Sequence, residues 1–354
     1  MEYLTSDVEV ESLKQKIVSS VSKMKFWEYF EWFAVNYKKD FVTKVTYCKY
    51  QLTKKWLENN LHELKLTDLE NNRQVLQFML DEYGKTRQHQ TVTDFKNLIY
   101  SSLNYAVDDG FITGFSKTNI VIHSVENSWS PEKRSDKKNE KKWLDMKEFV
   151  GFKNYLDFKL EEVLNKEPIF KNGPISEQTY LMILAVAIHT GARISEVMGI
   201  QISDVSDGKL SINKTWNYKT RTGGFMPTKN LSSIRTVNID PTIEKLLFEY
   251  HEYSEKNNLS DSDLPLLHEK DKHIFNSTVN EKLHQYLKLR GIGAISVHKL
   301  RHSYISTLIS NGIQINYIAK QVGHSNTDMI NKIYGHLQKE IEDREVDKVK
   351  LVFA

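Results

Sequence analysis

The sequence predicts a mainly α protein of two domains: a small bundle of about four helices, then a mixed α/β domain with one small antiparallel sheet. Three observations carry this reading. From Met24 to about Gly114 apolar and aromatic residues recur at helical spacing. Residues 115–142 interrupt that pattern with a polar, basic stretch. From Trp143 onward helical segments enclose short alternating runs between about 209 and 240.

In chain order, residues 1–23 are polar and read as one loose helix. Phe26 to Phe33 place aromatic rings at helical spacing. Lys44 to Tyr47 read as a helix start with Thr46 as its N-cap. Asn71 to Tyr83 form a further helix closed by Gly84, and Thr93 to Asp109 another closed by Gly110 in a Schellman-type stop. The twelve residues from Pro131 to Lys142 hold six basic and three acidic side chains and nothing to bury. This predicts a flexible basic linker over 115–142, either a solvated tether or one that follows phosphates. Beyond it, helices are expected near 145–165, 176–189, 242–258, 275–290, 298–311, 314–322 and 327–338. Strands are expected at Lys209–Asn213, Phe225–Pro227 and Arg235–Ile239, with Pro227 to Arg235 as a hairpin turn. The resulting division is a segment at 1–23, a helical domain at 24–114, the linker, and a domain at 143–354.

Composition excludes several classes. With 16 Phe, 17 Tyr and 6 Trp the chain can fill real cores, so it is not disordered, and 15 Gly with 6 Pro rule out a collagen-like chain. Nothing approaches the roughly 18 consecutive apolar residues of a membrane helix. Asp7, Glu9 and Glu11 with no apolar run leave no visible secretory signal. Cys48 is the only cysteine, which excludes an internal disulfide and a Cys-based zinc site and fits a reducing cytoplasm. A net charge of +3 allows a nucleic-acid partner without demanding one. Only nine of the 49 basic residues are Arg, so each well-placed Arg is conspicuous.

Four elements carry chemistry. After the apolar run Leu181 to Ile188, Thr190-Gly191-Ala192-Arg193-Ile194-Ser195-Glu196 sets Arg193 at the first turn of a helix that follows a glycine turn. His298 and Arg301, three apart, share one helix face. Gly323 ends the helix from Ile313 to Val322 and puts His324 on a turn, and Tyr334 falls on the next short helix. Lys229 lies in the turn between strands. Each has an ordinary structural explanation alone. Together, two Arg, two His, one Lys and one Tyr can hold and attack a phosphodiester without metal. Paired guanidiniums fork onto the nonbridging oxygens and offset charge in the transition state. A phenol with an ordinary pKa of about 10 needs a base and cationic neighbours to attack, and the leaving alkoxide needs a proton donor.

These residues resemble the tyrosine recombinases of the phage-integrase family. The motifs stand in family order: Thr190 to Glu196; Thr228-Lys229 with Ser233 and Arg235; His298-Lys299-Leu300-Arg301-His302-Ser303; Val322-Gly323-His324-Ser325; and Ile333-Tyr334-Gly335-His336. The resemblance covers about 143–340, and the segment 24–114 is similar, less distinctively, to the family's four-helix, SAM-like core-binding domain. It implies that Arg193 and Arg301 clamp phosphate, that His298 acts as general base or phosphate contact, that Lys229 is general acid for the 5′-hydroxyl, that His324 supports the phosphate and that Tyr334 forms a 3′-phosphotyrosyl link. No cofactor, ATP or divalent metal is then needed. The implied partners are double-stranded DNA attachment sites clamped between the two domains and a homo-tetramer working through a Holliday junction and exchanging C-terminal tails. An excisionase and a DNA-bending host protein are implied as accessories. No membrane partner is expected, and the place of action is the bacterial cytoplasm, at the nucleoid. Candidate DNA contacts in the helical domain are Lys44, Thr46, Lys85, Arg87, Thr91 and Thr93. Many phage and transposon integrases carry an arm-binding domain before the core-binding one. Only about 23 residues precede Met24, so either the protein lacks that domain or the chain begins after it. The leading expectation is an integrase of a phage, genomic island or conjugative transposon. A chromosome-dimer resolving recombinase, a type IB topoisomerase, a DNA-binding protein without catalysis and a metal-dependent nuclease are the alternatives.

Overall fold

The structure is a computed structural model, which describes residues 20–21, 23–140, 143–170, 174–220, 222–228, 230–261, 263–324, 327 and 330–331. All but the last residues of the helix expected over 1–23, and nearly all of that over 327–338, lie outside the described residues. The rest falls into two compact units, within Met1–Asn139 and within Glu140–Ala354.

The first unit is helical: α1 (Phe26–Tyr37), α2 (Lys44–Asn60), α3 (Arg73–Gly84), α4 (His89–Asp108) and α5 (Pro131–Asn139). Phe26, Tyr29, Phe30 and Phe33 are buried along one face of α1, the spacing of an amphipathic helix. They join Tyr50 and Leu57 of α2 and Phe95, Ile99 and Leu103 of α4 in one core. The buried Tyr29 hydroxyl donates to the Ser102 carbonyl at 2.8 Å.

Several local expectations are corrected here. Thr43, not Thr46, caps α2: its hydroxyl accepts from the Thr46 amide at 3.3 Å, while Thr46 already lies within the first turn. α4 begins at His89 rather than Thr93, because Val92 is already a buried helical position. Gly110 does end that helix, with φ of 73°. Gly84 is the last residue of α3, with Lys85 as the C-cap, and the chain at His123 crosses it closely. The expected linker is partly built. Val121 exchanges two hydrogen bonds with Gln77, at 2.8 and 2.9 Å, and Phe115, Ile120 and Ile122 pack on the first core. Pro131–Asn139 is helical because Ser130 accepts from the Lys133 amide ahead of a proline at the first helical position. Its side chains are exposed wherever they are described.

The second unit is built around one buried helix. Its elements are α6 (Met146–Val163), α7 (Glu177–Thr190), α8 (Ile194–Val197), β1 (Val205–Ser206), β2 (Lys209–Ile212), β3 (Lys214–Trp216), β4 (Phe225–Pro227), β5 (Arg235–Asn238), α9 (Pro241–Lys256), α10 (Asn276–Leu289), α11 (Val297–Ser310) and α12 (Ile315–Val322). Every residue of α7 is buried, and α6, α9, α10 and α11 pack around it. A helix apolar on all sides demands this surround. Its polar ends are matched: Thr179 meets Tyr250 and Glu269, each at 2.7 Å, and Glu177 accepts from Lys282 at 3.0 Å and from the Tyr286 hydroxyl.

Two small antiparallel sheets replace the single one expected. One has strand order β1-β2-β5, with Leu210 opposite Val237; the other pairs β3 with β4, with Trp216 opposite Phe225. Residues 228–234 therefore connect two sheets and are not a hairpin turn. The hairpin forms over 217–224 instead, where the Asn217 amide donates to the Gly224 carbonyl at 2.9 Å, a turn the Gly223-Gly224 pair makes available.

A Cβ on Gly84 would sit 2.1 Å from the His123 carbonyl oxygen. Gly84→Ala is expected to destabilise the first unit by about 1–3 kcal/mol, the cost of overpacking, despite alanine's better helix propensity. Urea unfolding followed by the fluorescence of Trp27, Trp32 and Trp56 measures it; an unchanged midpoint would show that the His123 segment yields freely.

Candidate phosphate-binding site

The site grows from two helix ends. α7 stops at Gly191, which takes a left-handed φ of 62°, and the Thr190 hydroxyl accepts from the Ala192 amide at 3.1 Å. The chain then re-enters a helix with Arg193 at its N-cap. α12 stops at Gly323 with φ of 68°, and His324 follows, its amide donating to the Ala319 carbonyl at 2.9 Å. Both glycines are held by sterics as well as by φ: a Cβ on Gly191 would lie 2.4 Å from the Tyr304 ring, and one on Gly323 2.9 Å from the Arg235 guanidinium.

Arg301, only 3% exposed on α11, joins the two ends. Its Nη1 donates to the Gly191 carbonyl at 2.9 Å and its Nη2 to the Val322 carbonyl at 2.5 Å. Arg193 reaches the same place, with Nη2 3.5 Å from the Gly323 carbonyl. Helix-terminal carbonyls carry partial negative charge, so they hold guanidiniums without neutralising them. Glu196, 2% exposed, orients the cations from behind: it accepts from the Arg193 amide and Nη1 at 2.9 and 2.8 Å, and from Arg235 Nη2 at 2.9 Å. Arg235 is fixed further by the carbonyls of Gln321, at 2.8 Å, and Ser233, at 2.9 Å.

Three histidines complete the cluster. Burial, then Arg301 and Arg193, lower the pKa of His298. Burial, then His298 and Arg301, push His302 down to about 4; its ring lies 5.3 Å from that of His298. Burial, then Arg301, Arg193, His302 and Arg235, push His324 down to about 4. The Nδ1 of His324 is buried and has no hydrogen-bond partner among the described residues. Glu196 stays ionised: burial opposes this, but Arg235 and Arg193 outweigh it. The result is a pocket of three guanidiniums, neutral imidazoles and one carboxylate, complementary to a phosphate anion.

The structure thus brings Arg193, Arg301, His298 and His324 together. Lys229 and Tyr334 lie outside the described residues. Glu196, Arg235 and His302 belong to the motifs read from the sequence but had no role there; only the fold pairs Glu196 with Arg235. Among the described residues no three His, Cys, Asp or Glu side chains group as a metal site, and no helix is long and apolar enough to cross a membrane. In the first unit Lys44, Lys85, Arg87 and Thr91 are exposed, and Thr46 and Thr93 half-buried. Lys85 pairs with Glu82 at 2.5 Å, and Arg87 Nη1 donates to the Thr86 hydroxyl at 2.9 Å. Lys49 of α2 forms an ion pair with Asp94 of α4 at 3.4 Å.

The model of the phage integrase family matches residues 156–340, more than half of the chain. The chain belongs to the phage integrase family. Among its relatives the ICEBs1 integrase of Bacillus subtilis is 25% identical over 293 residues, 77% of this chain and 74% of its own. The integrase of Staphylococcus phage L54a is 24% identical over 330 residues, 85% and 92% of the two chains. A XerC-like tyrosine recombinase of Caldanaerobacter subterraneus is 21% identical over 315 residues, 82% and 74%. The same fold is found in the Tn1549 transposon integrase, solved with transposon right end DNA, at a TM-score of 0.65 and 14% identity over 92% of this chain and all of that one. It is found also in a lambda integrase dimer bound to a core site, at 0.59 and 14% over 90% and 79%. This family chain is therefore a tyrosine recombinase of mainly helical fold.

Two outcomes are expected for the site. Glu196→Gln leaves Arg235 and Arg193 facing a neutral amide in a buried place and should cost about 3–5 kcal/mol of stability, read by denaturant unfolding; a loss below about 1 kcal/mol would mean that the guanidiniums find other acceptors. The second concerns pH. Protonating His302 or His324 is harder in the folded state than in the unfolded one, whose ordinary value is about 6.5. Stability should therefore fall as pH drops from about 6.5 toward 4. Thermal melts across that window should show the fall, and it should be shallower in His302→Gln.

Proposed function

We propose that this recombinase is an integrase: it cleaves and rejoins DNA at attachment sites through a 3′-phosphotyrosyl intermediate, integrating or excising a mobile element. The observation that carries the reading is the meeting of Arg193 and Arg301 at the carbonyls of Gly191, Val322 and Gly323, with His298 and His324 beside them. The relatives named as the ICEBs1 integrase and as the integrase of a phage favour mobile-element work.

In this mechanism the scissile phosphate sits against Arg193 and Arg301, whose charge offsets the additional negative charge of the trigonal-bipyramidal state. The Tyr334 oxygen attacks phosphorus, and neutral His298 takes its proton or steadies a nonbridging oxygen. Lys229 gives a proton to the departing 5′-oxygen. His324 donates one ring N–H to the phosphate. The ester keeps the bond energy, so the 5′-hydroxyl of a second strand can reverse the step without ATP, cofactor or divalent metal. A tetramer exchanges strands pairwise through a Holliday junction, and the apolar C-terminal tail from Leu351 to Ala354 packs on a neighbouring protomer. The domains at 24–114 and 143–354 clamp the duplex, with 115–142 crossing it and Lys44, Thr46, Lys85, Arg87, Thr91 and Thr93 on the backbone. An excisionase and a DNA-bending host protein set direction. The protein acts in the bacterial cytoplasm, at the nucleoid. The Xer-named relatives support a second reading, resolution of chromosome dimers.

A nicked duplex carrying the sequence that flanks the gene should trap a covalent protein–DNA adduct, in EDTA as well as without it. Tyr334→Phe should abolish the adduct while binding persists, and Arg193→Ala or Arg301→Ala should slow its formation by about a hundredfold or more. Binding should weaken steeply with salt. An adduct that survives Tyr334→Phe would refute the assignment of the nucleophile. Adducts on the host's replication-terminus site and on no flanking site would favour dimer resolution.

A further inference from the structure

His189 occupies the last turn of α7, with no side-chain exposure. Its Nδ1 lies 2.6 Å from Asp240 Oδ2 and its Nε2 lies 2.8 Å from Asp157 Oδ1. An ionised carboxylate only accepts hydrogen bonds, so both ring nitrogens donate and the ring is an imidazolium. The carboxylates are themselves engaged. Asp157 Oδ2 accepts from Lys153 at 3.0 Å, and Asp240 Oδ1 from the Thr242 and Ile243 amides at 3.0 and 3.3 Å. The charged groups facing the ring are thus Asp157 and Lys153 from α6 and Asp240 from the start of α9, with the Tyr304 phenol of α11 near Asp240. Two carboxylates balance two cations. Burial opposes the proton on His189, and Asp157 and Asp240 outweigh it, so the pKa is raised.

The position of this cluster matters more than its charge. His189 is two residues before Gly191, whose carbonyl receives Arg301, and four before Arg193. Asp240 follows the end of β5, the strand that begins with Arg235. One imidazolium therefore ties together the two chain segments from which Arg193 and Arg235 emerge, and ties both to α6. A histidine at the C-terminal end of one helix and an aspartate at the N-terminal end of another also suit both helix dipoles.

We propose that His189, held as an imidazolium between Asp157 and Asp240, is a positioning residue for strand cleavage, fixing the Gly191 turn on which Arg301 and Arg193 depend. Its cleavage arm rests on the recombinase reading above; its structural arm does not. Because the pKa is raised, the stabilisation is complete below about 6.5 and is lost as pH rises through the folded value. Deprotonation leaves a bare ring nitrogen facing a carboxylate, and the turn loosens.

Three measurements on the full chain test this. Nitrogen NMR of the DNA-free protein, with the signal assigned by its loss in His189→Gln, should find both ring nitrogens protonated at pH 7; a neutral ring would overturn the proposal. Hydrogen exchange should be faster over 187–193 in His189→Gln and in Asp240→Asn, and unchanged in α1; equal protection at 187–193 would overturn it. Single-turnover cleavage of the nicked duplex should slow by roughly tenfold to a hundredfold in His189→Gln, with binding within twofold, and the part of the high-pH decline that follows His189 should disappear, leaving only that of the Lys229 acid. Loss of rate with the whole decline intact, in proportion to loss of folded protein, would reduce His189 to a merely structural part. A wild-type chain that forms no adduct on any DNA would sink the recombinase reading instead, leaving the nitrogen shifts and the exchange to decide for or against the turn-fixing role.

Discussion

Two helices end on glycine within reach of one arginine. Arg301 donates to the carbonyls of Gly191 and Val322, and the rest of the site follows from that bridge. It brings the segment of Arg193 against the segment of His324, although 130 residues separate Arg193 from Gly323, where they touch. The acceptors are main-chain carbonyls of helix C-termini, which carry only partial charge. A carboxylate in their place would have paired with Arg301 and cancelled it. The cation is thus fixed in position and stays attractive to an anion. Both glycines are needed for this, since each takes a left-handed φ and each abuts a group of the site, Tyr304 or Arg235.

The same economy of negative charge governs the surroundings. Glu196 is the one buried carboxylate in contact with these guanidiniums among the described residues, and it serves Arg193 and Arg235 at once. Burial first, and the guanidiniums beside them second, make His298, His302 and His324 all harder to protonate than free histidine. A bound phosphate would offset the guanidiniums' part. The cluster is then self-consistent with and without its anion: neutral imidazoles beside the guanidiniums, and stronger donors once negative charge arrives.

Much of this was legible in the sequence, for identifiable reasons. Arg193, His298, Arg301 and His324 sit next to local signals, a glycine stop or a three-residue helical spacing, that fix backbone geometry over a few residues. The helices of the second unit follow from apolar period alone. What could not be read locally was pairing at distance. Nothing in Arg235-Thr236-Val237-Asn238 says that β5 pairs with β2 while β4 pairs with β3, so Pro227 to Arg235 reads as a hairpin turn. Thr43 and Thr46 are chemically equivalent caps, and only the backbone of the folded chain chooses between them. Ser130-Pro131-Glu132 is a helix start, but Pro131–Asn139 has no apolar side chain after its proline to give a helical period.

The burial of α7 explains why so much chemistry hangs on its end. A helix enclosed on every side cannot shift without disturbing α6, α9, α10 and α11 together, because packed interiors transmit displacement. Its apolar middle, Leu181 to Ile188, supplies that rigidity but no direction. Direction comes from the polar residues at its ends, Glu177 and Thr179 at the start and His189 at the finish, each bound to a partner from another element, while Thr190 donates back to the Val186 carbonyl of the same helix. The Gly191 turn inherits a position fixed by the contacts at both ends. In the proposed mechanism a phosphate clamp has to hold its geometry while phosphorus passes from one oxygen to another, and the end of a helix buried at every residue is where such geometry is least able to drift.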